Sequence, residues 1–344
     1  MDKSAIIEED LNYIHSCVDM KKFEGKTLMI SGATGLIGKT IINSLISWNK
    51  KSSRSIKIVA VVRNEKKAKM LFGEKDYLTY VVGDITNVEF PDIDVDYIIH
   101  AASNTDSFSF GNHPINIINT AYKGTENLLK FSADKKIKRF VYLSSMEVYG
   151  TPENDLKIYE NSPSNLQTSN VRSCYPESKR MCESLCVAYE KEFGIPFQVL
   201  RLTQTFGPGV EKNDNRVFAQ FANSIIENKD IVLKTEGKTK RCYLYTADAV
   251  TAIFISRLCE QKNQFFNVAN ESSYCSIREM ADMVVEKISG NRIKVVIDID
   301  NDNKSCYAPT LCMNLCCDKI NEIGWKANYS LIDSYKRMID CMSE

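Results

Sequence analysis

Gly32-Ala33-Thr34-Gly35-Leu36-Ile37-Gly38 is the stretch that most narrows what this chain can fold into. It follows Thr27-Leu28-Met29-Ile30, which reads as a strand, and precedes Lys39-Thr40-Ile41-Ile42-Asn43-Ser44-Leu45, which reads as a helix. Glycines at a strand-to-helix turn let the backbone approach a pyrophosphate. The helix that follows offers unpaired N–H groups and the positive end of its dipole. Glycine also serves ordinary tight turns, so the placement between strand and helix is what carries a nucleotide-binding reading.

The same alternation continues downstream. Ile56-Lys57-Ile58-Val59-Ala60-Val61-Val62 reads as a second strand, and Tyr80-Val81-Val82, Tyr97-Ile98-Ile99-His100, Phe140-Val141-Tyr142-Leu143-Ser144 and Phe197-Gln198-Val199-Leu200 as four more. Helices fit between them, notably over residues 117–131 and 178–193. This pattern predicts an α/β fold: a Rossmann-type doubly wound parallel sheet with a smaller mixed α/β C-terminal substrate lobe. A chain of 344 residues has room for both. The predicted division gives residues 1–25 to an N-terminal helical extension and 26–202 to the dinucleotide-binding domain, with 240–260 returning to it. Residues 203–239 and 261–344 then form the lobe, with helices over 217–227, 277–288 and 331–342, β-rich runs near 231–233 and 293–297, and a polar loop at 298–304; a further β-rich run near 242–244 lies in the returning segment.

Five further segments follow the glycine motif in order: Gly83-Asp84-Ile85, His100-Ala101-Ala102-Ser103, Leu143-Ser144-Ser145-Met146-Glu147-Val148-Tyr149-Gly150, Tyr175-Pro176-Glu177-Ser178-Lys179 and Arg201-Leu202-Thr203-Gln204-Thr205-Phe206-Gly207-Pro208. Arg241 and Asp248 then stand in an R-x6-D spacing. With the G-x-x-G-x-x-G turn, these segments resemble the extended short-chain dehydrogenase/reductases, the nucleotide-sugar-modifying epimerase/dehydratase branch. The likeness runs from about Lys26 to the C-terminal helix.

The resemblance implies a bound NAD(P), held by Gly32, Thr34, Gly35, Leu36, Ile37 and Gly38 at the pyrophosphate and by Asp84 and Ile85 at the adenine. Arg63 and Asn64 end the second strand, Ala101, Ala102 and Ser103 lie beneath the nicotinamide ribose, and Tyr175, Lys179 and Thr203 complete the set. An acidic residue at the end of the second strand would accept both ribose hydroxyls of NAD. Arg63 cannot accept them but suits a 2′-phosphate, which tips the expectation toward NADP; an arginine lying over the adenine is compatible with either cofactor.

A phenol with a pKa near ~10 is a poor base at neutral pH. Residues i and i+4 share a helix face, so Lys179 is expected near Tyr175, its charge favouring the phenolate. Tyr175 then takes a proton from a sugar hydroxyl while hydride leaves the same carbon. Ser145 is expected to hydrogen-bond the reacting oxygen, and Glu147 to serve as acid or base at the sugar ring. The dehydratases of the family carry an aspartate where this chain has Met146, and a thioether cannot protonate a leaving hydroxyl. For the substrate, the resemblance places Arg241 at a sugar-nucleotide diphosphate, with Gln204, Asn215 and Arg216 within reach. Ala121 and Gln204 stand where relatives have asparagine, and residues 310–314 lack an arginine found in several of them.

Three readings follow. One is an enzyme that recycles its cofactor within a turnover, as epimerases and decarboxylases do. The second is an NADPH-consuming reductase of a nucleotide-linked keto sugar, and the third a non-catalytic dinucleotide sensor. Lys+Arg and Asp+Glu balance at 44 each, which argues against a nucleic-acid partner. No apolar run suits a membrane span or a signal peptide, so a cytoplasmic protein is expected. Twelve cysteines include Cys306, Cys312, Cys316 and Cys317, whose spacing lacks paired C-x2-C knuckles; no metal is expected there. The resemblance also implies a homodimer pairing through the helices over 117–131 and 178–193.

Overall fold

A computed structural model describes residues 2–105, 107–152, 154–299 and 310–343. Its strands are β1 (Thr27–Ser31), β2 (Lys57–Val62), β3 (Leu78–Val82), β4 (Tyr97–His100), β5 (Arg139–Ser145), β6 (Phe197–Leu202) and β7 (Gln204–Phe206). They continue with β8 (Ile231–Leu233), β9 (Lys240–Tyr245), β10 (Gln264–Val268), β11 (Asn270–Ser276), β12 (Val295–Ile297) and β13 (Cys312–Met313). The helices are α1 (Lys3–Cys17), α2 (Leu36–Asn49), α3 (Glu65–Phe72), α4 (Ser107–Asn112), α5 (Pro114–Lys135) and α6 (Cys174–Phe193). After them come α7 (Val217–Ile226), α8 (Thr246–Leu258), α9 (Ile277–Met283), α10 (Asp318–Asn321) and α11 (Leu331–Ser343).

Seven parallel strands form the central sheet in the order β10-β6-β5-β4-β1-β2-β3. The side-chain period of two sends successive residues to opposite faces. Leu28 and Ile30 of β1 join a core built with Ile41, Leu45, Ile253 and Phe254 of α2 and α8, whereas Met29 joins Leu128, Leu129, Cys182 and Cys186 of α5 and α6 on the other face. The chain winds from β1 to β3 in one direction and returns to β4 on the other side of β1. That reversal opens a crevice at the strand ends, where α/β sheets of this kind bind ligands.

The six strands expected from the sequence are all present, and β10 is a seventh. The division that gave residues 261–344 wholly to the lobe is therefore corrected: β10 lies parallel beside β6, Phe266 pairing with Leu200. β9, in the stretch expected to return to the dinucleotide domain, centres a second sheet with β7, β11 and β13, while its Cys242, Leu244 and Tyr245 join the main-body core together with α8. The lobe's core gathers Phe206, Phe218, Tyr243, Tyr335 and Met338. α1 packs against α2, α8 and α11.

No described helix is long and apolar enough to cross a membrane. Every described cysteine is a free thiol; Cys306 and residues 300–304 of the expected loop lie outside the described residues. The Cys316 sulfur is within 4.8 Å of carboxylate oxygens of Glu271 and Asp318. Burial pushes that thiol up to about 11, and Glu271 is engaged by Lys157 and the Cys317 N–H.

Candidate active site

A cleft of about 1050 Å³ opens along the crevice, lined by the glycine turn, the ends of β2, β3 and β4, the face of α5 that carries Asn116, Asn119 and Thr120, and residues 209–216. Gly32 has φ +65°, and a Cβ built on it would lie 2.7 Å from the Ala101 carbonyl carbon. A Cβ on Gly38 would lie 2.3 Å from the Gly32 carbonyl oxygen, so the first turn of α2 closes on the loop only because position 38 has no side chain. Gly35 is the N-cap of α2, exposed and without a side-chain cap, which leaves the first N–H groups of that helix facing the cleft. A cradle bounded this way suits the diphosphate of a dinucleotide.

Of the expected cofactor residues, Gly32, Thr34, Gly35, Leu36, Arg63, Asp84, Ile85, Ala101, Ala102 and Ser103 line this cleft. Ile37 and Gly38 stand behind it, packing α2 on the sheet and the loop. Asn64 and Thr203 lie outside the cleft lining and are engaged within the fold. The Asn64 side chain accepts from the Lys67 N–H at 2.9 Å and so caps α3, the preferred use of an asparagine at a helix start. The buried Thr203 hydroxyl donates to the Cys242 carbonyl, stitching β6 to β9. Beneath the Ala101–Ser103 turn, Ser31 Oγ meets His100 Nδ1 at 2.6 Å, and Ala102 N–H donates to Ser31 Oγ at 3.2 Å. Burial, then the charge of Lys179, pushes His100 down to about 3, so it stays neutral and braces the turn.

Ser145 ends β5 and its Oγ accepts from the Glu147 N–H at 3.2 Å, turning the chain so that Glu147 points inward. Tyr175 and Lys179 lie one turn apart on α6, both buried. Burial raises the Tyr175 phenol above its ordinary value and the charge of Glu147 adds to this, while hydrogen bonds from Ser145 and Ser103 and the charge of Arg216 oppose it. Ser145, Glu147 and Tyr175 therefore meet, with Ser103 and Arg216 beside them. Lys179, expected to favour the phenolate, is not among the groups that lower the phenol: its ammonium donates to the Leu143 carbonyl at 2.7 Å, and burial pushes its pKa down to about 8. Burial also raises Glu147, against the charges of Arg241 and Arg172.

Arg241 leaves β9 half-buried, with Nε enclosed and without a hydrogen-bond partner among the described residues. Arg216 is the N-cap of α7; it lines the cleft and is held by both Asp214 oxygens. Asn215 lines the cleft as well, whereas Gln204 pairs through β7 with Tyr243 away from it. Asp248 serves the fold: its carboxylate accepts from Tyr13 and from the N–H groups of Asn328 and Tyr329.

Two residues were missed. Arg172, three before Tyr175, was open to detection, because a 3-10 turn running into α6 carries it to the same site. Phe110 of α4 stacks on Tyr175, ring centroids 4.6 Å and planes 14° apart; no local pattern announces a contact across that separation.

Comparison with known proteins gives a consistent result. The model of the NAD dependent epimerase/dehydratase family matches residues 28–269. Among curated proteins, UDP-glucuronic acid decarboxylase 1 of Xenopus tropicalis is 27% identical over 80% of this chain, which spans 64% of that protein. UDP-glucuronic acid decarboxylase 6 of Arabidopsis thaliana is 28% identical over 80% of this chain and 78% of its own. A solved UDP-glucuronic acid 4-epimerase from Bacillus cereus, in complex with UDP-glucuronic acid and NAD, superposes with a TM-score of 0.75 over 92% of this chain and 98% of that one, at 20% identity. That last likeness is one of fold.

Proposed function

Because this chain belongs to the NAD dependent epimerase/dehydratase family, we propose that it modifies a nucleotide-linked sugar with a bound nicotinamide dinucleotide, and that the reaction is decarboxylation of a uronic acid. The observation that carries the reading is the approach of the charges of two guanidiniums, Arg172 and Arg241, to the half-buried Glu147 beside Tyr175. Neither arginine has an ion-pair partner among the described residues, and a cation in such a site favours an anionic group on the sugar. The decarboxylases among the relatives act on a sugar of that kind.

A bound nicotinamide would take hydride from the carbinol carbon and return it at the end of the cycle. Tyr175 accepts the hydroxyl proton, with Ser145 and Ser103 holding the oxygen in place. The carbinol carbon thereby becomes a ketone, and the carboxylate one carbon beyond its neighbour is that of a β-keto acid. The bond to the carboxylate carbon breaks, CO2 leaves, and the electron pair moves onto the ketone oxygen facing Ser145 and Tyr175. Glu147, which burial favours in its protonated form, returns a proton to the neighbouring carbon. Met146 supplies no acid for a leaving hydroxyl, which supports loss of CO2 over loss of water.

Arg63 at the cleft supports NADP as the dinucleotide. Exposed Ile115, Ile118 and Tyr122 on α5 and Met181 and Phe193 on α6 support a homodimer joined through these helices. The free thiols suit a cytoplasmic setting.

The test is incubation with UDP-glucuronic acid and dinucleotide, followed by measurement of released CO2 and NMR of the product. A UDP-pentose formed without net use of cofactor supports the reading. Stoichiometric oxidation of NADPH on a keto sugar, with no CO2 from the uronate, would replace it with the reductase that Arg63 also favours.

A further inference from the structure

Lys39 is a cation that the reaction above does not use. It lies four residues past Gly35 in the first turn of α2, on the helix face that opens to the cleft, and its N–H donates to the Gly35 carbonyl at 2.8 Å. Among the described residues no carboxylate forms an ion pair with its ammonium. Glu211, whose charge reaches it, pairs instead with Lys67 at 3.7 Å. Burial and then the positive charges of Lys3 and Lys67 disfavour the ammonium, so an anion arriving there is welcome.

The opposite wall supplies the second observation. Gly209 has φ +100°, a backbone that side-chain-bearing residues rarely adopt, and a Cβ built on it would lie 2.5 Å from Lys39 Nζ. Glycine at 209 therefore leaves a notch, and the ammonium occupies it at the edge of the same cradle that Gly32 and Gly38 shape.

We propose that Lys39 is a phosphate-binding cation of the cleft, seated in the Gly209 notch to meet the diphosphate of a bound nucleotide at the N-terminus of α2. The proposal rests on reading the cleft as a nucleotide site, and not on decarboxylation. A diphosphate diester reaches this position from the dinucleotide or from the nucleotide-sugar, and the two sources are separable.

The full-length protein and its Lys39→Met, Lys39→Gln and Lys39→Arg variants are titrated calorimetrically with ADP-ribose and, separately, with UDP. Neither probe turns over, so a failure of the catalytic reading leaves the result intact. Loss of the charge is expected to weaken ADP-ribose binding about tenfold or more, with Lys39→Arg retaining most of the affinity. The same loss toward UDP alone supports the proposal and names the nucleotide-sugar as the source. Unchanged affinity for both probes, in whichever neutral variant melts like the parent, overturns it.

Discussion

The ammonium of Lys179 donates to the carbonyl oxygen of Leu143 at 2.7 Å and lies 5.8 Å from the centroid of the Tyr175 ring. The ammonium is thus held by the end of β5 and not by the phenol. The direct contacts of the phenol are Ser145 and Ser103, which share the work of orienting it. Replacing Tyr175 with phenylalanine keeps the ring stacked on Phe110 and removes only the hydroxyl. Turnover should fall by about 10²–10⁴-fold while dinucleotide affinity stays near the parent's. Steady-state rates and a dinucleotide titration read the two effects apart, and unimpaired turnover would remove Tyr175 from its assigned role.

Lys179 carries a cost in stability with a definite pH signature. Its pKa in the fold, about 8, lies below the ordinary lysine value of 10.5. Between those two pH values the unfolded chain holds a proton that the folded chain has shed, so this group makes stability rise with pH there; below about 8 its penalty is full. Lys179→Met should accordingly melt higher than the parent at pH 7, by on the order of 1 kcal/mol, with the advantage shrinking as pH climbs from 8 toward 10. An offset that does not change with pH would mean packing, and not charge, sets the difference.

Arg63 lines the cleft from the end of β2, where no carboxylate of β2 stands to receive ribose hydroxyls. If the guanidinium meets a 2′-phosphate as proposed, Arg63→Ala should weaken NADPH binding about tenfold or more and leave NADH almost unaffected. Parallel fluorescence titrations measure both. A parent protein that prefers NADH would overturn the NADP assignment.

Much of this arrangement was legible because it is written in spacing. Gly32, Gly35 and Gly38 repeat along a strand-to-helix turn, and Tyr175 and Lys179 share a helix face, so local geometry alone brings them to one place. Asn64 and Thr203 are engaged by the fold for a physical reason. An amide or hydroxyl at a turn chooses between a ligand and a nearby backbone group, and here the Lys67 N–H and the Cys242 carbonyl won. Phe110 and Lys39 take their meaning from partners far along the chain, Tyr175 and Gly209, that periodicity does not reveal. β10 was passed over because its return to the sheet edge beside β6 is a property of topology, while its five residues carry no signal of which sheet they join.

The N-terminal helix is fastened by a charge that spans the length of the chain. Arg337 of α11 donates to Asp10 at 2.8 Å, to Glu9 at 2.8 Å, to the Ile6 carbonyl at 2.9 Å and to the Tyr245 hydroxyl at 2.9 Å, and that hydroxyl donates to Asp10 at 2.7 Å. Burial raises the pKa of Asp10 against the pull of Tyr245 and Arg337, so the carboxylate depends on these partners to stay ionised. Arg337→Met leaves Asp10 enclosed without its cation and should destabilise the protein by about 3–5 kcal/mol in chemical unfolding. Adding Asp10→Asn removes the stranded charge and should recover a large part of that loss, since the two residues act as one unit. A double variant as unstable as Arg337→Met would assign the loss to the contacts with Ile6 and Tyr245, with α1 held by hydrogen bonding and packing and not by the ion pair.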